Sequence, residues 1–128
     1  RVAHAEVPAY LRACQIGLSP IEPNSVYVNS SPIKPLEYLA AGIPVVGSPI
    51  PDQLSVITES GGGLCVPYEE SAFANAVDLL LRLPESERAA IGSRGSAYVR
   101  KHRSFWTLAR TAVSAYERLL NSEHLGCT

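Results

Sequence analysis

The sequence predicts an α/β fold, with a parallel sheet of about three strands flanked by helices. Three short, mostly apolar segments lie around residues 16, 45 and 65. The middle one, Val45-Val46, is β-branched and uncharged, as is typical of a parallel strand that is covered on both faces. The stretches between and after these segments carry apolar residues at helical spacing, and we expect those helices to pack against the sheet.

The composition is that of an ordinary globular protein of at most one domain. The chain has 128 residues, of which 46% are hydrophobic and 18% charged, and these values exclude the disordered and fibrous classes. The net charge of -1 gives no general attraction to nucleic acid, so no nucleic-acid partner is expected. The basic run Arg100-Lys101-His102-Arg103 suits the C-terminal end of a helix.

The three cysteines predict neither a disulfide framework nor a zinc site. Cys14, Cys65 and Cys127 are far apart, and no two of them form a C-x-x-C pair. This usage is typical of a reducing compartment, so a cytoplasmic location is expected. Cys14 and Cys65 fall at the edges of predicted strands, where we expect small buried side chains.

The N-terminal part of the chain predicts a helix, a strand and a long loop. Apolar residues at i, i+3, i+4 and i+7 indicate a helix over residues 7–14, and a short strand over 15–19 follows. The segment from Pro20 to Ile33 is polar and contains several turn-forming residues. Because ligands bind at the carboxyl ends of strands in open α/β sheets, this segment is a predicted binding loop.

A short, sharply bounded helix is predicted between this loop and the second strand. Pro35 suits the first helical position, which places Lys34 at the N-cap and Glu37 at the third helical position. Gly42 falls where a left-handed residue commonly ends a helix, and Pro44 prevents continuation. The helix is therefore expected to be only about two turns long.

Lys34 and Glu37 together suggest a nucleotide site. The free N–H groups and the positive end of the helix dipole lie beside Lys34, where a bound phosphate would be attracted by both. Glu37 falls on the same helix face, where a carboxylate can accept hydrogen bonds from a diol such as ribose. An ordinary helix start, with Lys34 solvated and Glu37 acting as a capping partner, is equally open on spacing alone.

Three polar residues are the expected N-caps of the later helices. Asp52 precedes a short helix that runs through Ile57, and Ser71 precedes a helix that we expect to pack against the sheet. Ser104 precedes a last helix rich in aromatic and aliphatic residues.

Glycines mark two places after the second predicted strand. The run Gly61-Gly62-Gly63 precedes a strand instead of following one, so it does not predict a dinucleotide-binding loop. A helix predicted over residues 85–101 contains Gly92 and Gly95, which indicate close packing or a bend.

The segment from Pro32 to Val46 resembles the signature of a large enzyme family. The run PIKPLEYLAAGIPVV is similar to that of the retaining glycosyltransferases with the GT-B fold, group 1 or family 4. The resemblance implies a partial Rossmann-like sheet that is part of a GT-B donor-binding domain. It extends less specifically from about Val7 to Leu120. Residues 1–128 are therefore expected to be a fragment of the C-terminal, nucleotide-sugar-binding domain, with the acceptor domain absent.

The same resemblance implies roles for individual residues. Glu37 would hold the ribose of the sugar nucleotide, and Lys34 would approach the diphosphate. The family often has two glutamates separated by seven residues, and the position of the first, which contacts the transferred sugar, is Asn29 here. Asn29 can hydrogen-bond sugar hydroxyls but carries no charge, and a plain turn residue is equally open. The implied catalytic residues are Asn29 and Lys34, and the implied substrate-binding residues are Ser30, Ser31, Ile33, Lys34, Pro35, Leu36 and Glu37.

The resemblance also implies the reaction and its partners. The intact enzyme would transfer a hexosyl unit from a nucleotide-diphosphate sugar to a glycan, lipid or small-molecule acceptor. No cofactor is implied, and with only two aspartates, Asp52 and Asp78, the chain has no D-x-D motif, so a metal-independent reaction is expected. We expect a cytoplasmic enzyme, and peripheral association with the inner face of the membrane is left open. The isolated fragment is expected to self-associate through an exposed sheet edge.

Two other functions remain open from the sequence. A non-catalytic nucleotide-binding or interaction module would account for Asn29, and a sugar-nucleotide epimerase shares the GT-B architecture. A hydrolase is not favoured, because the chain has no G-x-S-x-G elbow and the spacing of its carboxylates singles out no pair.

Overall fold

The computed structural model describes residues 2–123, which form three strands and six α-helices after a single 3-10 turn, His4–Glu6. The elements in chain order are α1 (Val7–Arg12), β1 (Gly17–Ser19), α2 (Ile33–Ala40), β2 (Val45–Gly47), α3 (Pro51–Ser60), β3 (Gly63–Cys65), α4 (Glu70–Arg82), α5 (Glu85–His102) and α6 (Phe105–Glu123).

The three strands form one parallel sheet in the order β1-β2-β3. Val45 of β2 is aligned with Gly17 of β1 and with Gly63 of β3. The predicted sheet of three parallel strands is therefore confirmed. Since the strands are parallel, their carboxyl ends share one edge, which receives the loops that lead into α2, α3 and α4.

Helices cover both faces of the central strand. Val45 and Val46 are fully buried, as expected for a strand without a solvent face. On one face Val45 packs with residues of α2, α3 and α5, namely Leu39, Val56, Ile57 and Val99. On the other face Val46 packs with residues of α4, namely Ala76 and Leu80.

The glycines of α5 allow this helix to approach α2 closely. A Cβ atom at Gly92 would collide with the carbonyl oxygen of Gly42, and one at Gly95 would lie 2.5 Å from a methyl carbon of Leu39. Gly42 itself has a φ of 78°, the left-handed conformation expected directly after α2. The two glycines of α5 therefore permit close packing, while the helix continues unbroken to His102.

The start of α2 differs from the expectation. The helix begins at Ile33, with Pro32 as its N-cap, so Lys34 is the second helical residue and Pro35 the third. Glu37 is then the fifth helical residue instead of the third. The physical reason is that no N–H in the first turn needs an intrahelical acceptor, so proline is tolerated at several of these positions.

Two of the three predicted N-caps are wrong. Helix α3 begins at Pro51 after Ile50, which makes Asp52 its second residue, and α4 begins at Glu70, which makes Ser71 its second residue. Ser104 is confirmed as a cap, since its Oγ accepts the backbone N–H of Thr107 at 3.2 Å. Proline at the first position of α3 moves that helix start two residues earlier than expected, as its fixed φ favours.

Cys14 is exposed, and the expectation of a buried side chain is wrong. Its thiol donates to the backbone carbonyl of Tyr10 at 3.4 Å, because the chain turns directly after α1, a helix with no buried residue. Cys65 is half-buried, and this burial raises the pKa of its thiol. Cys127 lies outside the described residues.

Candidate functional site

The candidate site lies at the carboxyl edge of the sheet. Strand β1 ends at Ser19 and leads into a loop over residues 20–32, which crosses this edge and enters α2. Strand β2 ends at Gly47 and leads into the turn before α3. The loop predicted to bind a ligand therefore lies where open α/β sheets bind theirs.

The N-terminus of α2 presents a cation beside two free amides. Pro32 and Pro35 have no N–H, so within the first turn only Ile33 and Lys34 carry amides that lack an acceptor inside the helix. The N-cap makes no side-chain hydrogen bond, and the Lys34 side chain is exposed. The two amides, the helix dipole and the ammonium group all attract an anion.

Glu37 is half-buried and lines a groove between α1 and α2. The groove has a volume of about 510 Å³. Within the described residues, the Glu37 carboxylate accepts no hydrogen bond from protein atoms and does not cap its own helix. The groove is lined by Val7, Pro8, Leu11, Arg12, Glu37, Ala40 and Ala41. A carboxylate in such a groove, one turn along the helix from Lys34, can accept hydrogen bonds from a ligand.

Pro35 and Leu36, which lie between Lys34 and Glu37 on α2, pack mainly against the core. Pro35 is buried, and Leu36 packs against the cluster around Leu39. Ile33 is 66% exposed at the helix start. Because Pro35 lacks an N–H and the side chains of Pro35 and Leu36 face the protein, these two residues hold the helix end in place and offer few groups to a ligand.

The loop before α2 is organised by its own polar side chains. The Asn24 carboxamide oxygen accepts the N–H groups of Val26 and Tyr27 at 3.0 and 3.1 Å, which forms a local turn. Ser30 Oγ donates to the carbonyl oxygen of Tyr27 at 2.7 Å. Asn29 is exposed and makes no side-chain hydrogen bond within the described part of the chain. Of the loop residues singled out from the sequence, Ser30 is thus engaged and Asn29 is available.

Ser31 is tied to α3 and α5 through Asp52. Its Oγ donates to Oδ2 of Asp52 at 2.7 Å, and Oδ1 of Asp52 accepts from Arg103 at 2.7 Å. The side chains of Asp52 and Arg103 are only about a quarter exposed, and the hydrogen bond to Asp52 raises the pKa of Arg103. The sequence indicated only a capping role for Asp52 and, for Arg103, only a place in the basic run that suits a helix C-terminus.

A buried polar cluster lies beneath the loop. The Gln53 amide is 1% exposed; it accepts from Ser19 Oγ at 2.6 Å and donates to the carbonyl oxygen of Ser48 at 2.7 Å. Ser48 Oγ in turn accepts the N–H of Ile21 at 2.9 Å. Gln53 thereby joins the last residue of β1 to the segment that follows β2. The sequence signal was its position on the apolar stripe of α3, three residues before Val56.

The described chain offers no grouped metal ligands: no three His, Cys, Asp or Glu side chains between residues 2 and 123 lie together as a metal site would require. None of the helices in that range combines the length and the apolar character needed to cross a membrane.

Residues 1–82 match the sequence profile described as glycosyl transferases group 1. The matched part of the chain includes the loop, α2, Asp52 and Gln53. The chain belongs to this family. The resemblance expected from Pro32 to Val46 is thus confirmed. Lys34, Glu37 and Gln53 all lie within the part that matches this glycosyltransferase family, whereas Arg103 lies beyond it.

A solved structure supports the same fold. The chain is similar to sucrose-phosphate synthase from Thermosynechococcus elongatus, with a TM-score of 0.74 and 22% sequence identity. The match covers 95% of this chain and 29% of that chain, so this chain spans less than a third of the length of that structure. The partial Rossmann-like sheet of a GT-B protein is confirmed by this likeness. Among curated proteins no match was found.

Proposed function

We propose that the intact protein is a retaining glycosyltransferase and that residues 1–128 bind its nucleotide-diphosphate sugar donor. The observation that carries this proposal is the unpartnered Glu37 carboxylate in its groove, one turn from Lys34 and the free amides of α2. Both groups lie within the part of the chain that matches group 1 glycosyl transferases. The acceptor, a glycan, lipid or small molecule that receives a hexosyl unit, would be held by a domain outside these residues.

Lys34 and the first amides of α2 would bind the diphosphate. When the bond between the anomeric carbon and the diphosphate breaks, negative charge grows on the leaving oxygen. An ammonium group and helix-end amides that are already in place stabilise this charge without reorganisation, which is the most effective form of electrostatic catalysis. Lys34 would therefore lower the barrier as well as improve donor binding.

Glu37 would hold the ribose, and Asn29 would contact the transferred sugar. A carboxylate can accept hydrogen bonds from both hydroxyls of a diol, and this fixes the nucleoside relative to the diphosphate. Asn29 offers a carbonyl and an amino group to sugar hydroxyls but no charge to offset positive character at the anomeric carbon. Ser30 and Ser31 remain proposed contacts on the same loop.

Substitution of Glu37 tests this proposal. We expect Glu37→Gln and Glu37→Ala to weaken binding of a nucleoside diphosphate about tenfold, on the order of 1.4 kcal/mol, with little change in melting temperature. Binding to the intact protein would be measured by calorimetry with UDP, GDP and ADP in turn. Glu87→Gln, an exposed change on α5, is the matched control and should bind normally.

Two results would contradict the proposal. Unfolding of both Glu37 variants would mean that the carboxylate serves stability, and unchanged affinity would remove Glu37 from the site. If the wild-type protein binds a nucleoside diphosphate but transfers no sugar to any acceptor tested, the protein is a nucleotide-binding module, the function that an uncharged Asn29 favours.

A further domain would also explain why the apolar face of α6 is exposed. Several large side chains on this helix are exposed, among them Phe105 at 91% and Trp106 at 76%. A helix that ends a donor-binding domain in this family is expected to cross toward the other domain, which would cover these side chains. The strands β1 and β3 both form edges of the described sheet, and self-association of the isolated fragment there stays a prediction.

The proposed cellular location follows from the proposed reaction. We place the intact enzyme in the cytoplasm, with peripheral association at the inner face of the membrane when the acceptor is a lipid. Neither the location nor the acceptor depends on residues 2–123 alone, because a domain outside them would select the acceptor.

A further inference from the structure

We infer that Asp52 is a positioning residue for the donor site, because it holds Ser31 at the entrance to α2 through an ion pair anchored on Arg103. The inference rests on the proposed function of Lys34 and the α2 amides. It also changes the role of Ser31: its hydroxyl donates its one proton to Asp52, so Ser31 serves the site by holding the loop.

The two carboxylate oxygens of Asp52 have separate partners. Oδ2 accepts from Ser31 Oγ and Oδ1 accepts from Arg103, each at 2.7 Å. Ser31 immediately precedes Pro32, the N-cap of α2. The restraint therefore acts next to the amides of Ile33 and Lys34. At about a quarter exposure, the ion pair is screened less by solvent than a fully exposed one.

Arg103 is itself held by the end of α5. Its backbone N–H donates to the carbonyl oxygen of Val99 at 2.8 Å, and its guanidinium lies near the Tyr98 side chain, which helps to raise the pKa of Arg103. The Tyr98 hydroxyl donates to Glu59 of α3 at 2.6 Å. Asp52 thus connects the loop to two helices, α3 and α5, that pack against each other.

The other hydrogen bonds of the loop do not provide this restraint. Those of Asn24 and Ser30 are local to the loop. The bonds between Ile21 and Ser48 fix only its beginning. Among the described residues, the hydrogen bond from Ser31 to Asp52 is the side-chain contact that fixes the end of the loop to α3. A displacement of about 1 Å at this point would misplace the groups that face the diphosphate.

A double-mutant cycle in the intact protein tests the inference. We expect Ser31→Ala and Asp52→Ala each to weaken binding of the nucleoside diphosphate by about three- to tenfold, the size of effect that the typical net contribution of one hydrogen bond implies. The double variant should bind no more weakly than the weaker single variant, because both changes break one interaction. Arg103→Gln should also weaken binding, although this residue directly follows another helix, α5.

Asp78→Ala is the matched control. Asp78 is the other aspartate of the chain and forms an exposed ion pair with Arg82, at 2.8 Å on α4. Its replacement should leave the affinity unchanged. A second measurement needs no ligand: amide hydrogen exchange over residues 24–36 should become faster in Ser31→Ala and Asp52→Ala and stay unchanged in Asp78→Ala.

The outcomes separate this inference from the proposed function. If the wild type binds none of UDP, GDP and ADP, the proposed function fails. If the wild type binds and Ser31→Ala, which removes one hydroxyl, leaves both affinity and exchange unchanged, the positioning role is refuted. Additive losses in the double variant would also overturn it, since they would mean that Ser31 touches the ligand independently of Asp52.

Discussion

Helix α2 is packed on one face and presents charged side chains on the other, whereas α6 exposes most of its apolar side chains. In α2, Leu39 is 0% exposed, while Glu37 lacks a protein partner among the described residues. In α6, Leu120 is 65% exposed. An unsatisfied polar group on a well-packed helix suits a polar ligand, and an uncovered apolar face suits another protein surface. The two helices therefore mark different kinds of contact.

The largest expected effect is the difference between α2 and α6 in how much one buried or exposed leucine contributes to the free energy of unfolding. We expect Leu39→Ala to lower the free energy of unfolding by about 2–5 kcal/mol, because it opens a cavity in the core. Leu120→Ala, the same change on α6, should cost less than about 0.5 kcal/mol in the 128-residue chain. Urea denaturation of both variants gives the comparison. Equal losses would show that α6 is packed as tightly as α2.

A smaller loss of stability is expected when the buried polar cluster beneath the loop is disrupted. Gln53→Leu should lower the free energy of unfolding by about 1–3 kcal/mol, because the buried groups of Ser19 and Ser48 lose their partner. Gln15→Leu, at the other glutamine and on the surface, should stay within about 0.5 kcal/mol. Thermal and urea unfolding measure both. A neutral Gln53→Leu would mean that the buried amide contributes no net stability.

The same residues show which parts of the fold and the site can be predicted from the sequence. The three strands and the end of α2 at Gly42 were predictable because proline, glycine and β-branched residues mark them locally. The start of α2 was not, since several first-turn positions accept proline. Gln53 was detectable as a polar residue on an apolar stripe. Asp52 was not, because its partner Arg103 is 51 residues away and the pairing exists only in the fold.

The smallest expected effect is the response of Glu59, on α3, to pH. Hydrogen bonds from Ser55 and Tyr98 lower the pKa of Glu59 from its ordinary value of 4.5. Glu59 therefore contributes stability that is present above pH 4.5 and is lost as the pH falls through the lowered pKa. Tyr98→Phe removes one donor, so its melting temperature should fall less steeply than that of the wild type between about pH 5 and pH 3.

Glu59→Gln should reduce that slope further, because no carboxylate remains to be protonated at this position. Melting curves at several pH values in one buffer series measure all three proteins. If both variants lose melting temperature as steeply as the wild type does, the hydrogen bonds from Ser55 and Tyr98 contribute no pH-dependent stability. A carboxylate that the protein itself engages, as Ser55 and Tyr98 engage Glu59, is less free to hold a ribose, and this is why the proposed donor site contains Glu37 instead.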